Sequence, residues 1–359
     1  MGIKKKSIAL SVGAMLLAST CFANSITRIN KYLYDAYYDV AMVTEQNYLA
    51  AKQELDKKMP PRFACTSARK GNFHMRNLDL FKDDTATFIV HVPATYRSYK
   101  YMGVAGGLQD YKAGHIKDTP DLLPFVIVDG INEHGLVVNI NVVPADVVGI
   151  VSPKVRGNNV SAIMFPAYVL RHYKTVDDVL QGLNKDFHIY DMAQPGLEHY
   201  SFHFMVSDKD QTAIIEHNAK GEWLACSNNI MVNFNEHLRK AYDVEPTGAG
   251  IERYKLVESM LPYVQDMESA MDVCEAVKYS QAYTHWGWIS ENYGELCNKY
   301  TNPADIYPAW NAERKVFLSG KRNTGVWHTM HSVVYNLASK EMLLAIQEDY
   351  AKTYARKLE

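Results

Sequence analysis

Pro60-Pro61-Arg62-Phe63-Ala64-Cys65-Thr66-Ser67, with Gly71 and then Arg76-Asn77-Leu78-Asp79 shortly after, is the stretch on which the reading of this chain turns. Two successive prolines stop any helix that reaches them. Directly behind them stands a cysteine with small polar neighbours. A thiol becomes a strong nucleophile once it loses its proton, and a nearby Arg and Asp can hold a nucleophile and its proton acceptor in place. On composition alone, a single cysteine is more often a small core residue than a nucleophile, so the rest of the chain has to decide.

Upstream, residues 1–23 have the layout of a secretory signal. Lys4, Lys5 and Lys6 form a basic start, Ile8 to Ala18 a short apolar core, and Cys21-Phe22-Ala23 supplies small residues for a cut after Ala23. The apolar core is too short to span a bilayer. The expectation is an exported protein, periplasmic or secreted; acylation of Cys21 as a lipoprotein anchor is an alternative that Thr20 fits poorly. Residues 25–58 read as helix, because Ile29, Leu33, Tyr37 and Val40 recur at helical spacing with Ala51 and Leu55 further on. The leader removed, Cys65, Cys226, Cys274 and Cys297 remain, and an oxidising compartment permits pairing among them. If one is a working thiol, at most one bridge can form.

Downstream the pattern turns to strands. Thr87 to Val92 is β-rich. Phe125 to Val128 and Leu136 to Val143 flank the turn Asp129-Gly130-Ile131-Asn132-Glu133-His134-Gly135, the strongest hairpin signal in the chain. Residues 160–173 and 176–184 read as helices, the second capped by Thr175 and Asp178. Phe202–Val206 and Thr212–Glu216 form a hairpin around Asp208-Lys209-Asp210, and Glu222–Ala225 and Ile230–Phe234 are short strands. Residues 251–262 and 267–279 are helical. Trp327–Leu337 and Glu341–Gln347 close the pattern as a last hairpin. Paired strands, then paired helices, then strands again predict two sheets with helices packed outside them.

The 359 residues carry 38 Lys and Arg against 40 Asp and Glu, a formal net charge of −2. That balance excludes an electrostatic reader of nucleic acid. No apolar run of about 18 residues appears, so no spanning helix is expected. With 47 % apolar and 22 % charged residues, the chain has the composition of a globular protein with a sizeable core.

Cys65-Thr66-Ser67, Gly71 and Arg76-Asn77-Leu78-Asp79 together resemble the opening of the choloylglycine hydrolase and penicillin V acylase family. These are N-terminal nucleophile hydrolases that cut linear amide bonds. Asp129-Gly130-Ile131-Asn132-Glu133-His134-Gly135-Leu136 resembles the family's Asp-Gly-(Met/Ile)-Asn-Glu-x-Gly-Leu hairpin. Val232-Asn233-Phe234 is similar to its Thr-Asn element, with Val in place of Thr, Gly250-Ile251-Glu252-Arg253-Tyr254 to the helix start bearing its second arginine, and Thr329 to Leu337 to its closing strand. Five motifs in order cover roughly residues 65–348.

The resemblance implies an α+β fold, the αββα four-layer sandwich with two antiparallel sheets between helical layers. It implies residues 24–64 as a helical pro-segment or small subunit and 65–359 as the amide hydrolase domain. Carried over by position, Cys65 is the nucleophile, Arg76 and Asp79 sit beside it, Asn233 is the oxyanion donor and Arg253 orients the cluster. One family position, an Asn or Tyr, falls on Val142. Asn139 and Asn141 lie close by on one strand face, and either of them, or the backbone N–H of the strand, is a candidate for the missing contact. The spacing from Cys65 to Arg76 is short for the family.

Physical chemistry supports the same scheme. A cysteine that begins a chain carries its own base, an α-amine titrating near 7.7–8.0 in model peptides. Attack on an amide gives an oxyanion suited to the Asn233 amide and a backbone N–H, then a thioester that water hydrolyses. No metal or organic cofactor is required. The α-amine is free only if the Ala64–Cys65 bond is broken, which explains a leader of residues 24–64; an ordinary N-terminal helix of the domain is the alternative. The expected partner is a small-molecule N-acyl amide; a homo-oligomer is left open.

Other signals point elsewhere less well. His328-x-x-His331 has the look of a metal pair, but an odd spacing puts strand side chains on opposite faces. Tyr283, Trp286 and Trp288, with His285, form an aromatic cluster that suits a substrate pocket or the core. Gly248-Ala249-Gly250 lacks the third glycine and the strand of a dinucleotide fingerprint. No carboxylate pair faces one bond as in a glycosidase. Three readings compete with this one. They are an acyltransferase of the same fold, a papain-like enzyme whose Cys65 is activated by a distant His, and a non-catalytic binding protein that kept the fold.

Overall fold

The computed structural model describes residues 24–55, 64–81, 85–106, 111–117, 120–144, 150–191, 200–218, 220–236, 250–278 and 327–359. The leader, Cys297 and the aromatic group Tyr283, His285, Trp286 and Trp288 lie outside the described residues.

In chain order the described residues begin with β1 (Ser25–Arg28), β2 (Leu33–Tyr37) and α1 (Glu45–Leu55). The hairpin β3 (Ala64–Lys70) and β4 (Phe73–Phe81) comes next, then β5 (Thr87–Val92), β6 (Tyr101–Ala105), β7 (Asp129–Asn132) and β8 (Val137–Pro144). β9 (Asn159–Ser161), α2 (Phe165–His172), α3 (Val176–Gly182) and β10 (His188–Tyr190) make a crossover. After it stand β11 (Tyr200–Ser207), β12 (Thr212–His217), β13 (Trp223–Cys226) and β14 (Ile230–Met231). α4 (Ile251–Met260), α5 (Met267–Ala276), β15 (Trp327–Asn336), β16 (Glu341–Ile346) and β17 (Asp349–Lys357) complete it.

Two large sheets result, one in the order β1-β2-β5-β6-β7-β8-β11-β12-β13 and the other β14-β3-β4-β15-β16-β17. Because side chains alternate along a strand, each sheet offers one face to its partner and one to helices. Leu33, Ile89, Met102, Val104, Ile131 and Val137 meet Val333, Tyr335, Met342 and Leu344 between the sheets. On the outer face of the first sheet, Val138, Ile140 and Phe204 pack with Phe165, Val169 and Leu170 of α2. On the outer face of the second, Ala68, Met75 and Val334 pack with Val257 of α4 and Ala270, Val273 and Cys274 of α5. This is the expected αββα sandwich.

Several local expectations are corrected. Residues 25–58 are not one helix: among the described residues, strands occupy 25–28 and 33–37, a 3-10 turn covers 40–42, and α-helix runs from Glu45 to Leu55. Leu33, Tyr34, Asp35 and Ala36 are all buried. A strand buried on both faces loses the alternation that would have marked it, so its apolar residues mimic a helical repeat. The first sheet is also not purely antiparallel, since β2 runs parallel to β5. In the central hairpin the first strand is Asp129–Asn132, within the stretch expected to turn, and Phe125 ends a short 3-10 helix instead. The helix expected over 160–173 begins only at Phe165, after β9 and a 3-10 turn over Ala162–Met164, and the strand expected over Ile230–Phe234 is only Ile230–Met231. The other hairpins and helices fall close to where the sequence places them, including α3 with its Thr175–Asp178 capping box.

Candidate active site

β3 and β4 place the site's first residues by alternation. Along β3, Cys65 and Ser67 point between the sheets while Thr66 and Ala68 point to the helical layer. β4 pairs with β3 so that Ser67 lies opposite Arg76, Cys65 opposite Leu78 and Ala64 opposite Asp79. Arg76 therefore shares the inter-sheet face with Cys65, and its Nη2 lies 3.5 Å from Cys65 Sγ. The same Nη2 donates to the Ile140 carbonyl at 2.9 Å. Asp79 lies on the other face and meets Arg253 of α4, whose Nη1 donates to Asp79 Oδ2 at 2.9 Å and to Thr66 Oγ1 at 2.9 Å.

Asn233, just after β14, joins the two halves. Its Oδ1 accepts from the Cys65 backbone N–H at 3.0 Å and from Arg253 Nη2 at 2.7 Å. Its Nδ2 donates to the Val142 carbonyl at 2.8 Å. Cys65, Arg76, Asp79, Asn233 and Arg253 thus form one connected cluster, and all five are buried.

The charges are arranged in two buried pairs. Arg76 Nη1 donates to Asp129 Oδ2 at 2.9 Å, and Arg253 pairs with Asp79. Burial pushes the Asp79 carboxyl up to about 6, although Arg253 and the Thr329 hydroxyl, which donates to Oδ1 at 2.6 Å, pull the other way. Burial likewise raises Asp129, but His331, Arg76 and Tyr335 outweigh it and hold this carboxyl below its ordinary value. Tyr335 Oη donates to Asp129 Oδ1 at 2.6 Å, and His331 Nε2 lies 2.9 Å from Oδ2. Burial pulls the His331 pKa down against the pull of Asp129, and because a carboxylate only accepts, Nε2–H is the donor to Asp129. Burial also pushes the Cys65 thiol up to about 11, with Arg76 and Arg253 opposing and Asp79 reinforcing. With Ala64 still attached, the thiol is protonated at neutral pH and needs a base to become a nucleophile.

The other candidates fall in different places. Asn139 and Asn141 share a face, as expected, but belong to an inter-sheet network. Asn139 Nδ2 donates to Ser67 Oγ at 2.7 Å and to Asn141 Oδ1 at 3.1 Å, and its Oδ1 meets His74 Nε2 at 2.9 Å. Asn141 Nδ2 donates to the Met231 and Val232 carbonyls at 3.4 and 3.3 Å. Val142 takes the opposite face, with Val138 and Ile140, and reaches the cluster through its carbonyl. Tyr283, Trp286 and Trp288 lie outside the described residues.

Thr66, Asp129, Thr329, His331 and Tyr335 complete the cluster, and the sequence reading does not single them out as site residues. His331 enters there only as half of a histidine pair. A bulge between Thr329 and His331 in the β15–β4 ladder undoes the parity argument applied to that pair. The rings nevertheless part company: His328 Nε2 meets Gln347 Oε1 at 2.9 Å while His331 meets Asp129. Among the described residues, no group of three His, Cys, Asp or Glu side chains converges as a metal site.

Comparison with known proteins places this geometry. Among solved structures, a mutant of the conjugated bile acid hydrolase from Clostridium perfringens superposes with a TM-score of 0.53 at 13 % identity, covering 82 % of this chain and 92 % of that one. Penicillin V acylase from Agrobacterium tumefaciens gives a TM-score of 0.44 at 16 % identity, covering 79 % of this chain and 83 % of that one. At such identities the first likeness speaks for the fold. A search of the curated proteins finds no match. The model of the linear amide C–N hydrolases, choloylglycine hydrolase family, matches residues 62–242, which begin beside Cys65 and include Arg76, Asp79, Asp129 and Asn233. That match takes in half of the sequence, and the chain belongs to the choloylglycine hydrolase family of linear amide C–N hydrolases.

Proposed function

We propose that this chain is an exported hydrolase that cleaves a small N-acyl amide through a thioester on Cys65, after scission of its own Ala64–Cys65 bond. The observation that carries the reading is the fixing of Cys65 at both ends. Its thiol lies against the Arg76 guanidinium, and its backbone N–H is bound to Asn233 Oδ1. In the uncut chain that nitrogen is an amide and cannot act as a base. Once the bond is broken, the same nitrogen becomes an α-amine within the reach of Asn233 and can take the thiol's proton near neutral pH. Arg76 and Arg253 favour the thiolate, and the Asn233 amide is a donor for the oxyanion. Among the described residues no histidine bonds to Cys65 Sγ, which is what a papain-like mechanism would need. The basic and apolar pattern of residues 1–23 supports export to the periplasm or beyond it.

The test is the mass of the mature protein. Cys65→Ala should abolish turnover and leave residue 64 joined to residue 65, whereas wild type should yield a chain beginning at Cys65. Wild type that is active with the 64–65 bond intact would overturn the reading.

The substrate is proposed to pair an apolar acyl group with a small polar amine, as in bile-salt conjugates, penicillin V and fatty acyl amides. An apolar acyl group gains roughly 0.8 kcal/mol per buried CH₂, so kcat/KM should rise about three- to fourfold per methylene until the pocket is full. The panel is N-acyl glycines and taurines of increasing length, beside bile-salt conjugates and penicillin V. A flat response to length, with no activity on the last two, removes this substrate class.

A further inference from the structure

The segment ahead of Cys65 is built into the sandwich. β2 pairs with β5 along its whole length, from Leu33 opposite Thr87 to Tyr37 opposite His91, and β1 pairs with β2 in turn. Leu33 is a member of the core between the two sheets, while Tyr34 and Ala36 belong to the core on the outer face. Asp35 bridges the sheets. Arg356 of β17 reaches it through Nε at 3.1 Å and Nη2 at 2.5 Å, and His91 of β5 lies at 3.3 Å.

The chain beyond β2 is equally engaged. Tyr48 of α1 packs edge-on to Phe125 with ring centres 5.8 Å apart, Lys52 Nζ donates to the Asn159 carbonyl at 2.8 Å, and buried Arg171 donates to the Val43 carbonyl at 3.1 Å. Without this segment β5 would become an open edge. Its Thr87, Phe88, Ile89, Val90 and Val92 are all buried now. A long apolar edge of that kind is a template for aggregation.

We infer that residues 24–55 are not a discarded leader but a permanent second chain of the mature enzyme, held on the β5 edge without a covalent link once the 64–65 bond is cut. The inference rests on the proposed scission. It adds that the edge of the larger fragment is a binding surface and that its partner is this chain's own N-terminal segment.

The experiment uses the full-length protein as it matures. Denaturing mass measurement should give two fragments, one starting at Cys65 and one ending at or before Ala64. Native mass measurement and gel filtration of the same sample should give one particle containing both. Asp35→Ala, which removes the bridge to Arg356, should leave scission intact and raise dissociation of the small fragment on dilution about tenfold. A native particle that contains only the Cys65-start fragment and is fully active overturns the inference while leaving the scission standing. A single uncut, active chain overturns the scission, and with it the two-chain form. An Asp35→Ala enzyme that cannot be recovered leaves the wild-type native mass to decide between these outcomes.

Discussion

Asn233 is the residue on which most of the site's geometry depends. Its one oxygen holds the Cys65 N–H and Arg253, and its amide nitrogen holds the Val142 carbonyl. That nitrogen carries two hydrogens, so one remains for a developing oxyanion. Asn233→Ala is expected to lower kcat by about 10²–10³, the usual loss for one oxyanion donor. Rates are to be normalised to the fraction of chains beginning at Cys65, because the substitution also loosens the nitrogen of the bond proposed to be cut. Asn228→Ala should cost less, since Asn228 Nδ2 is directed to Glu236 and Tyr254 instead. A larger loss at Asn228 would mean that the motif has been read in the wrong register. The five residues Cys65, Arg76, Asp79, Asn233 and Arg253 were legible because each sits in a short stretch resembling a known one. Asp129, His331 and Tyr335, which hold Arg76 in place, were not legible as a unit. Asp129 and Tyr335 come together only when two sheets stack, and no local pattern encodes that.

Turns and ladders were legible where their signal is local. The capping box of α3 is written in Thr175 and Asp178 alone, and the structure forms it. β2 fails that test, because what makes Leu33–Tyr37 a strand is β5, the core on either side and Arg356, all distant in sequence. Tertiary context overrides periodicity in such a case. The central hairpin shows both effects. Its glycine was readable, but why it must be glycine appears only in three dimensions. Gly135 has φ +80, and a Cβ there would sit 2.4 Å from the Leu337 carbonyl oxygen at the end of β15. Gly135→Ala must therefore move backbone, not merely a side chain. It should lose at least about 2 kcal/mol in urea-unfolding stability. Gly71→Ala is the control: φ is +57 but nothing lies within 4 Å of the added Cβ. It should lose only about 1–2 kcal/mol, the left-handed backbone cost. Equal losses at the two positions would mean that the contact between the hairpin turn and β15 contributes nothing.

At the scale of the whole molecule, the two sheets are joined by polar groups as well as by apolar ones, and this gives stability a pH dependence. His74 of β4 is fully buried between them, with Nδ1 2.9 Å from Ser207 Oγ and Nε2 2.9 Å from Asn139 Oδ1. Burial, with Arg69 and Arg76 adding to it, lowers its pKa to about 4 against the pull of Asn139 and Asp129. The unfolded chain, with a value near 6.5, binds more protons than the folded one between those two values. Stability is therefore full above about pH 6.5 and is lost as pH falls toward 4. Between pH 7 and pH 5 this one ring should account for a loss of about 2 kcal/mol. Asp79 works in the opposite direction: its folded value of about 6 lies above the unfolded one, so acidification relieves a buried charge. His172, lowered to about 4 by burial, adds to the loss. The raw pH profile of the wild type mixes these three with other shifted groups, His331 and Asp129 among them, and the difference between wild type and His74→Gln isolates the first. Gln keeps a donor and an acceptor but cannot titrate. Urea unfolding at pH 7 and pH 5 should show a drop in the variant smaller by about 2 kcal/mol, whatever its absolute stability. An unchanged drop would mean that His74 is accommodated as a cation between the sheets, and that their polar seam tolerates charge in a way its geometry does not suggest.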